Sequence, residues 1–139
     1  MDHVRERLVH RSSLSGLKIL LIEGDPIVAL DLAGTLEDAG ASVFLALNAA
    51  EGYDLADRGE AAAYDLAILD TKIGRNGLLS LAAKLENLGT ALAFYTAVAN
   101  RYWLAEQFPE SLILSRQHDS DVFLSSLQSD FGAGRAYLN

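Results

Sequence analysis

The sequence predicts a doubly wound α/β domain built on a five-stranded parallel sheet. Three observations carry that reading. Five short apolar runs alternate along the chain with five helical stretches, and βα repetition implies parallel strands joined by right-handed crossovers. The third run, Tyr64-Asp-Leu-Ala-Ile-Leu-Asp70, is apolar enough for a strand covered on both faces. Four runs also end in chemically usable groups, at Glu23, Asp70, Thr96 and Arg116, and the C-terminal edge of such a sheet is where ligands bind.

Each element has a local cause. Residues 1–16 are polar, carry Arg5, Arg7, Arg11 and Ser12-Ser13, and read as an N-terminal extension, either a short helical turn or a flexible arm. Leu17 to Ile22 is the first strand, apolar apart from Lys18. Asp25-Pro26 opens a helix, with Asp as N-cap and Pro at the first helical position. Val28, Leu32, Leu36 and Ala39 form its apolar stripe and Gly40 its stop. Ala41 to Leu47 is the second strand. Asn48-Ala-Ala-Glu51 matches a capping box for a helix ending near Gly59. Asp65 to Leu69 is the third strand. Gly74-Arg-Asn-Gly77 reads as a turn, and the next helix begins near Gly77, with the stripe Leu78, Leu81, Leu85 and Leu88 closed by Gly89.

Thr90 to Thr96 is the fourth strand. Asn100 to Phe108 is a short, poorly patterned helix ended by Pro109, and Leu112 to Leu114 is the fifth strand. Asp119 or Ser120 caps a last helix with the stripe Phe123, Leu127 and Phe131. Phe131-Gly-Ala-Gly134 leads into a flexible tail. The domain is thus expected over 17–131 and the tail over 132–139, with no internal repeat, interdomain linker or room for an effector domain in the tail.

Composition narrows the function. A chain of 139 residues, half of them hydrophobic, fits one core with helices on both sheet faces. The absence of cysteine excludes disulfides, thiolate metal sites and a cysteine nucleophile. The charged start, Met1-Asp-His-Val-Arg-Glu-Arg, is not a signal peptide, and no apolar stretch suits a bilayer span. A cytoplasmic location and no membrane partner follow as expectations. The net charge is −8, and no Lys or Arg occurs between Lys18 and Arg58, a stretch holding eight acids from Glu23 to Asp57. Such a surface repels phosphates, so nucleic acid is not an expected partner.

The strand-terminal side chains can be weighed singly. Asp70 could be a nucleophile, a metal ligand or a helix cap. No helix-start signal follows it directly, which leaves its carboxylate free for chemistry, and aspartate forms acyl phosphates when a cation or metal offsets its charge. The first and third strands are neighbours in a doubly wound sheet, so Glu23 should face Asp70. Asp25 is explained by capping alone. Thr96 could hydrogen-bond a phosphoryl oxygen or simply end a strand. Arg116 suits bidentate phosphate or carboxylate contact, or a surface ion pair. His3, His10 and His118 lack metal-ligand spacing, so zinc is not expected. A dinucleotide-binding glycine motif and a G-x-x-x-x-G-K-[ST] loop are both missing. Tyr102, Trp103 and Phe108 read as local packing and not as a base-stacking platform.

Over Leu17 to Gln128 the chain resembles the receiver domain family of bacterial two-component response regulators. The resemblance rests on Ile-Leu-Leu-Ile-Glu23-Gly24-Asp25-Pro26, Leu36-Glu-Asp-Ala-Gly40 and Tyr64-Asp-Leu-Ala-Ile-Leu-Asp70. It implies a flavodoxin-like strand order, 2-1-3-4-5, with helices on both faces. It implies Asp70 as phospho-acceptor, Thr96 as switch hydroxyl followed by the small Ala97, and Arg116 in place of the usual Lys. The metal set it implies is Glu23, Asp70 and the backbone carbonyl of Lys72. The chain departs from the family at Gly24, which replaces the second acid, and at Gln117, which replaces a proline usually preceded by a cis bond. The Arg116–Gln117 bond is expected trans, because a cis bond before a non-proline residue costs roughly 2.5–4 kcal/mol. The loop after Asp70 is also one residue short and lacks its proline.

In charge terms Glu23 and Asp70 contribute −2, while Arg116 and Lys72 can offset up to +2. The expectation is therefore Mg²⁺ bound weakly or not at all. The function so implied is an atypical, stand-alone receiver, not an enzyme in the usual sense. It would accept a phosphoryl group on Asp70 from a histidine kinase or histidine phosphotransfer protein, and signal to a downstream protein or through a homodimer. The alternative is a pseudo-receiver, an interaction module of the same fold that is not phosphorylated. A small phosphatase-like hydrolase ranks last, since no second catalytic acid has an obvious role.

Overall fold

The computed structural model describes residues 14–58, 64–116 and 119–138, with 98 and 130–138 described by backbone alone. Five parallel strands form one sheet in the order β2-β1-β3-β4-β5. They are β1 (Lys18–Ile22), β2 (Ser42–Ala46), β3 (Leu66–Asp70), β4 (Ala91–Thr96) and β5 (Leu112–Ser115). The helices are α1 (Pro26–Asp38), α2 (Ala49–Arg58), α3 (Arg75–Asn87), α4 (Arg101–Gln107) and α5 (Ser120–Leu138), with 3₁₀ turns at Thr71–Ile73 and Val98–Asn100.

Period-2 alternation in the strands feeds two cores. Ile19, Leu21, Ile68 and Tyr95 face α1 and α5, where Leu36 and Phe123 meet them. Leu20, Ile22, Leu69 and Phe94 face the other way, onto Leu78, Leu81 and Leu104. β3 is buried along its whole length. Two aromatic pairs lock the sheet to its cover: Tyr95 meets Phe123 edge-on at 5.1 Å, and Phe94 packs on Phe108 at 5.2 Å.

The caps follow the sequence. Asp25 Oδ1 accepts from the amides of Ile27 and Val28, with Pro26 opening α1. Asn48 Oδ1 accepts from the Glu51 amide at 2.8 Å, while Glu51 reaches back to the amide of Leu47 at 3.0 Å. Asp119 Oδ1 accepts from the Asp121 amide, and so caps α5. Gly40 closes α1 at φ 102°, where an added Cβ would stand 2.9 Å from the backbone of Ser15. Glycine is thus required there on two counts.

Several expectations differ from what the structure holds. α3 starts at Arg75 instead of near Gly77, because Gly74 alone makes the bend, at φ 106°. Leu88 is half exposed, since it lies past the last helical turn and leaves the stripe. Tyr102 is 84% exposed and does not pack locally, unlike Phe108. Leu14, read as part of the extension, is buried in the core. α5 runs to Leu138, through the stretch read as a tail. The stop near Gly59, His3, His10, His118 and the Arg116–Gln117 bond fall outside the described residues.

α4 is the weakest cover: it spans only Arg101–Gln107, Leu104 is its buried residue, and no side chain caps its start. Amides of 97–107 should therefore exchange with solvent through local opening, at a small fraction of the global free energy. Native-state hydrogen exchange checks this. Protection there equal to that of β3 would contradict it.

Candidate functional site

Strand register assembles the site. β1 and β3 pair Ile22 with Leu69, which places Glu23 and Asp70 side by side at the sheet edge. β3 pairs Asp70 with Tyr95, and β4 pairs Thr96 with Ser115. Arg116, one residue beyond, donates its amide to the Thr96 carbonyl at 2.9 Å. Glu23, Gly24, Asp70, Lys72, Tyr95 and Arg116 lie on the wall of one open cleft of about 1090 Å³, and the N-terminal turn of α1 forms its other side. Thr96 does not line the cleft. It sits behind the wall, 1% exposed.

Asp70 is 2% exposed. Its Oδ1 accepts from the Lys72 amide at 3.0 Å and pairs with the guanidinium of Arg116 through Nη2. The aspartate thus caps the 3₁₀ turn that follows it. This corrects the expectation of an uncommitted carboxylate: the turn is too short to leave a helical signature in the sequence. Arg116 Nη2 also approaches the Tyr95 carbonyl at 3.5 Å, and its guanidinium lies 4.6 Å from the centre of the Tyr95 ring. A planar cation held on a ring face and on a carboxylate is fixed in orientation as well as in charge.

Glu23 is buried beside this pair. Its Oε2 accepts from the Asp25 amide at 3.0 Å, and its Oε1 has no hydrogen-bond partner. Burial raises its carboxyl above the ordinary 4.5. The neighbouring Asp70 adds to the rise, while the Asp25 amide and Arg116 oppose it.

The donor set does not fit a hard divalent ion. Glu23 Oε1 is an open oxygen, but its partner Oε2 is taken by the Asp25 amide. Gly24 has no side-chain oxygen, and Asp70 Oδ1 already serves an amide and a guanidinium. Among the described residues no group of three acids or histidines could hold a metal. Mg²⁺ demands near-octahedral oxygen ligation, whereas here a bound cation side chain takes the neutralising part. Lys72 reaches Asp70 through its backbone N–H.

Four residues at the site escape sequence reading. Thr71 Oγ1 lies 2.9 Å from Thr96 Oγ1, Asn100 Nδ2 donates to Thr96 Oγ1 at 3.2 Å, and Trp103 Nε1 donates to Asn100 Oδ1 at 3.1 Å. The Arg75 guanidinium lies 4.7 Å from the Trp103 ring centre. The only signal in the sequence is the i, i+3 spacing of Asn100 and Trp103, which places them on one face of a helical turn.

No protein-family model matches the sequence, and no curated protein does. Solved structures do match in fold. A response regulator receiver domain protein from Methanospirillum hungatei superposes with a TM-score of 0.69 at 17% identity, over 87% of this chain and 98% of that one. A response regulator receiver protein from Sinorhizobium medicae gives 0.68 at 22% identity, over 81% and 92%. A response regulator from Burkholderia pseudomallei, solved with a phosphorylated aspartic acid, a calcium ion and citrate, gives 0.65 at 23% identity, over 88% and 75%. The chain has the fold of response regulator receiver domains.

Two measurements test the electrostatics. Amide shifts around Glu23, Asp70 and Lys72 should not saturate at low millimolar Mg²⁺. Gly24→Asp should tighten binding, because a side chain at residue 24 meets only an ordinary contact, 3.6 Å from the Leu47 carbonyl. Saturation of the wild type at low millimolar Mg²⁺ would sink this reading. The second concerns pH. Folded Glu23 keeps its proton to higher pH than the unfolded chain does, so stability falls as pH rises from about 4.5 through the folded value. Glu23→Gln cannot ionise, so its stability relative to wild type should rise over that window. Urea unfolding with chelator at about pH 4 and about pH 8 checks the sign.

Proposed function

We propose that this chain is an atypical member of the receiver family of two-component signalling, with Asp70 as phosphoryl acceptor. The observation that carries the reading is Asp70 itself: a buried carboxylate at the C-terminal tip of the central strand of a receiver fold, paired with a guanidinium. The donor is a phosphohistidine on a histidine kinase or phosphotransfer protein. An Asp70 oxygen attacks phosphorus, the N–P bond breaks, and the donor imidazole leaves as its phosphoryl group becomes an acyl phosphate. Arg116 turns its fork to the incoming phosphoryl oxygens, and Thr96 supplies a hydroxyl donor once it leaves Thr71. With Gly24 in place of an acid, Mg²⁺ contributes little. The output is a contact with a downstream protein or a second copy, in the bacterial cytoplasm. No helix among the described residues is long and apolar enough to cross a membrane.

The second reading is an interaction module of the same fold that takes no phosphoryl group. Gly24, which leaves the site without a second side-chain acid beside Glu23, favours it.

Incubation with acetyl phosphate followed by intact-mass spectrometry separates the two. The receiver reading expects an added phosphoryl mass on wild type and none on Asp70→Asn. Unmodified wild type, under conditions that label an ordinary receiver, gives the second reading. Asp70→Asn should stay folded within about 1 kcal/mol of wild type, the scale of one net hydrogen bond. Its amide still accepts from Lys72 and can donate toward Glu23, offsetting the lost pair with Arg116.

A further inference from the structure

The contacts behind the cleft close a ring. Thr71, next to the acceptor Asp70, meets Thr96 across 2.9 Å, and Thr96 Oγ1 accepts from Asn100 Nδ2. Asn100 Oδ1 in turn accepts from the Trp103 indole. The Trp103 ring carries the Arg75 guanidinium, and Arg75 opens α3 just past the turn that Asp70 caps. The ring stitches the loop after β3 to the loop after β4 through side chains alone. It runs from the Thr96 hydroxyl, 1% exposed, to the partly buried indole of Trp103 on α4. The bonds inside it have a direction. Thr96 Oγ1 has one proton, and the structure offers it Thr71 Oγ1 or the Ala97 carbonyl at 3.3 Å. Asn100 holds its amide by giving to Thr96 on one side and receiving from Trp103 on the other, so its orientation depends on both.

We infer that Asn100 and Trp103 are positioning residues that read the Thr96 hydroxyl: Asn100 converts a displacement of that hydroxyl into a change at the Trp103 indole and its Arg75 partner. The functional use rests on the reading of Asp70 as phosphoryl acceptor, since a phosphoryl oxygen there is what would draw Thr96 from its two partners. Asn100 then loses its acceptor, and the indole and the start of α3 lose a fixed support. α4 suits this part because it is short and meets the core through Leu104, which is buried, and Trp103, which is only partly so.

The chain has a single tryptophan, so its indole N–H resonance and its emission report on the ring without labelling. Three variants take the relay apart. Thr96→Val removes the hydroxyl and should shift the indole resonance. Asn100→Ala removes both bonds and should move the indole N–H upfield, toward an unbonded indole. In that background Thr96→Val should add nothing. Asn100→Asp keeps the acceptor for Trp103 and reverses the other contact, Thr96 now donating to the carboxylate, so the indole should stay bonded and still respond to Thr96→Val. Ser115→Ala, beside Thr96 on β5 but outside the ring, controls for proximity and should leave the indole in place. Additive shifts from Thr96→Val and Asn100→Ala, or an indole unmoved by either, would overturn the relay. Acetyl phosphate then tests the reading beneath it. A labelled wild type should show the indole shift of Thr96→Val, and labelling without that shift refutes the coupling. A wild type that takes no label refutes the receiver reading, while the variant cycle still decides the relay.

Discussion

The site depends on how two buried carboxylates share one sheet edge. Parallel register brings Glu23 and Asp70 together, and each is at most 3% exposed. Ionising both without compensation would be costly, because desolvation and like charge act in the same direction. The chain meets this twice. Arg116 reaches across from β5 to Asp70, and Glu23 is pushed toward its protonated form. The guanidinium offsets one carboxylate, burial and Asp70 hold the Glu23 pKa above its ordinary range, and both effects come from side chains that are part of the fold.

That constraint makes Gly24, Arg116 and Tyr95 one set. A second acid at residue 24 would add charge, and Gly24 adds none. A lysine at 116 would be a mobile point charge, whereas the guanidinium lies flat on Tyr95 and is directed at Asp70. Tyr95 is itself held edge-on by Phe123 of α5, so the cation's orientation is set by the core beneath it. On the other side of Asp70, Thr71 and Thr96 turn their hydroxyls to each other, which links the end of β3 to the loop that carries Asn100 and Trp103.

Much of this was legible in the residues. Alternation of apolar runs and caps such as Asp25-Pro26 and Asn48-Ala-Ala-Glu51 is local information, and the structure uses those residues as read. Strand ends were legible for the same reason, and so were the residues that reach the sheet edge. The misreadings share a different cause. A 3₁₀ turn as short as Thr71–Ile73 has no periodicity to detect, so the cap made by Asp70 was hidden. Leu88 continued a stripe by spacing, but the helix had already ended.

The sequence by itself determined the βα alternation, the sheet edge on which Glu23, Asp70 and Arg116 meet, and the scarcity of oxygen donors at Gly24. These follow from patterns within a few residues of each other or from side-chain chemistry alone. Only the tertiary structure decided which atoms engage: Arg116 on Asp70 Oδ1 from 46 residues away, Glu23 Oε1 without a partner, and Thr96 behind the cleft wall instead of on it. Such contacts depend on distance and direction between distant segments. They are set by strand register and core packing, to which no local pattern gives access.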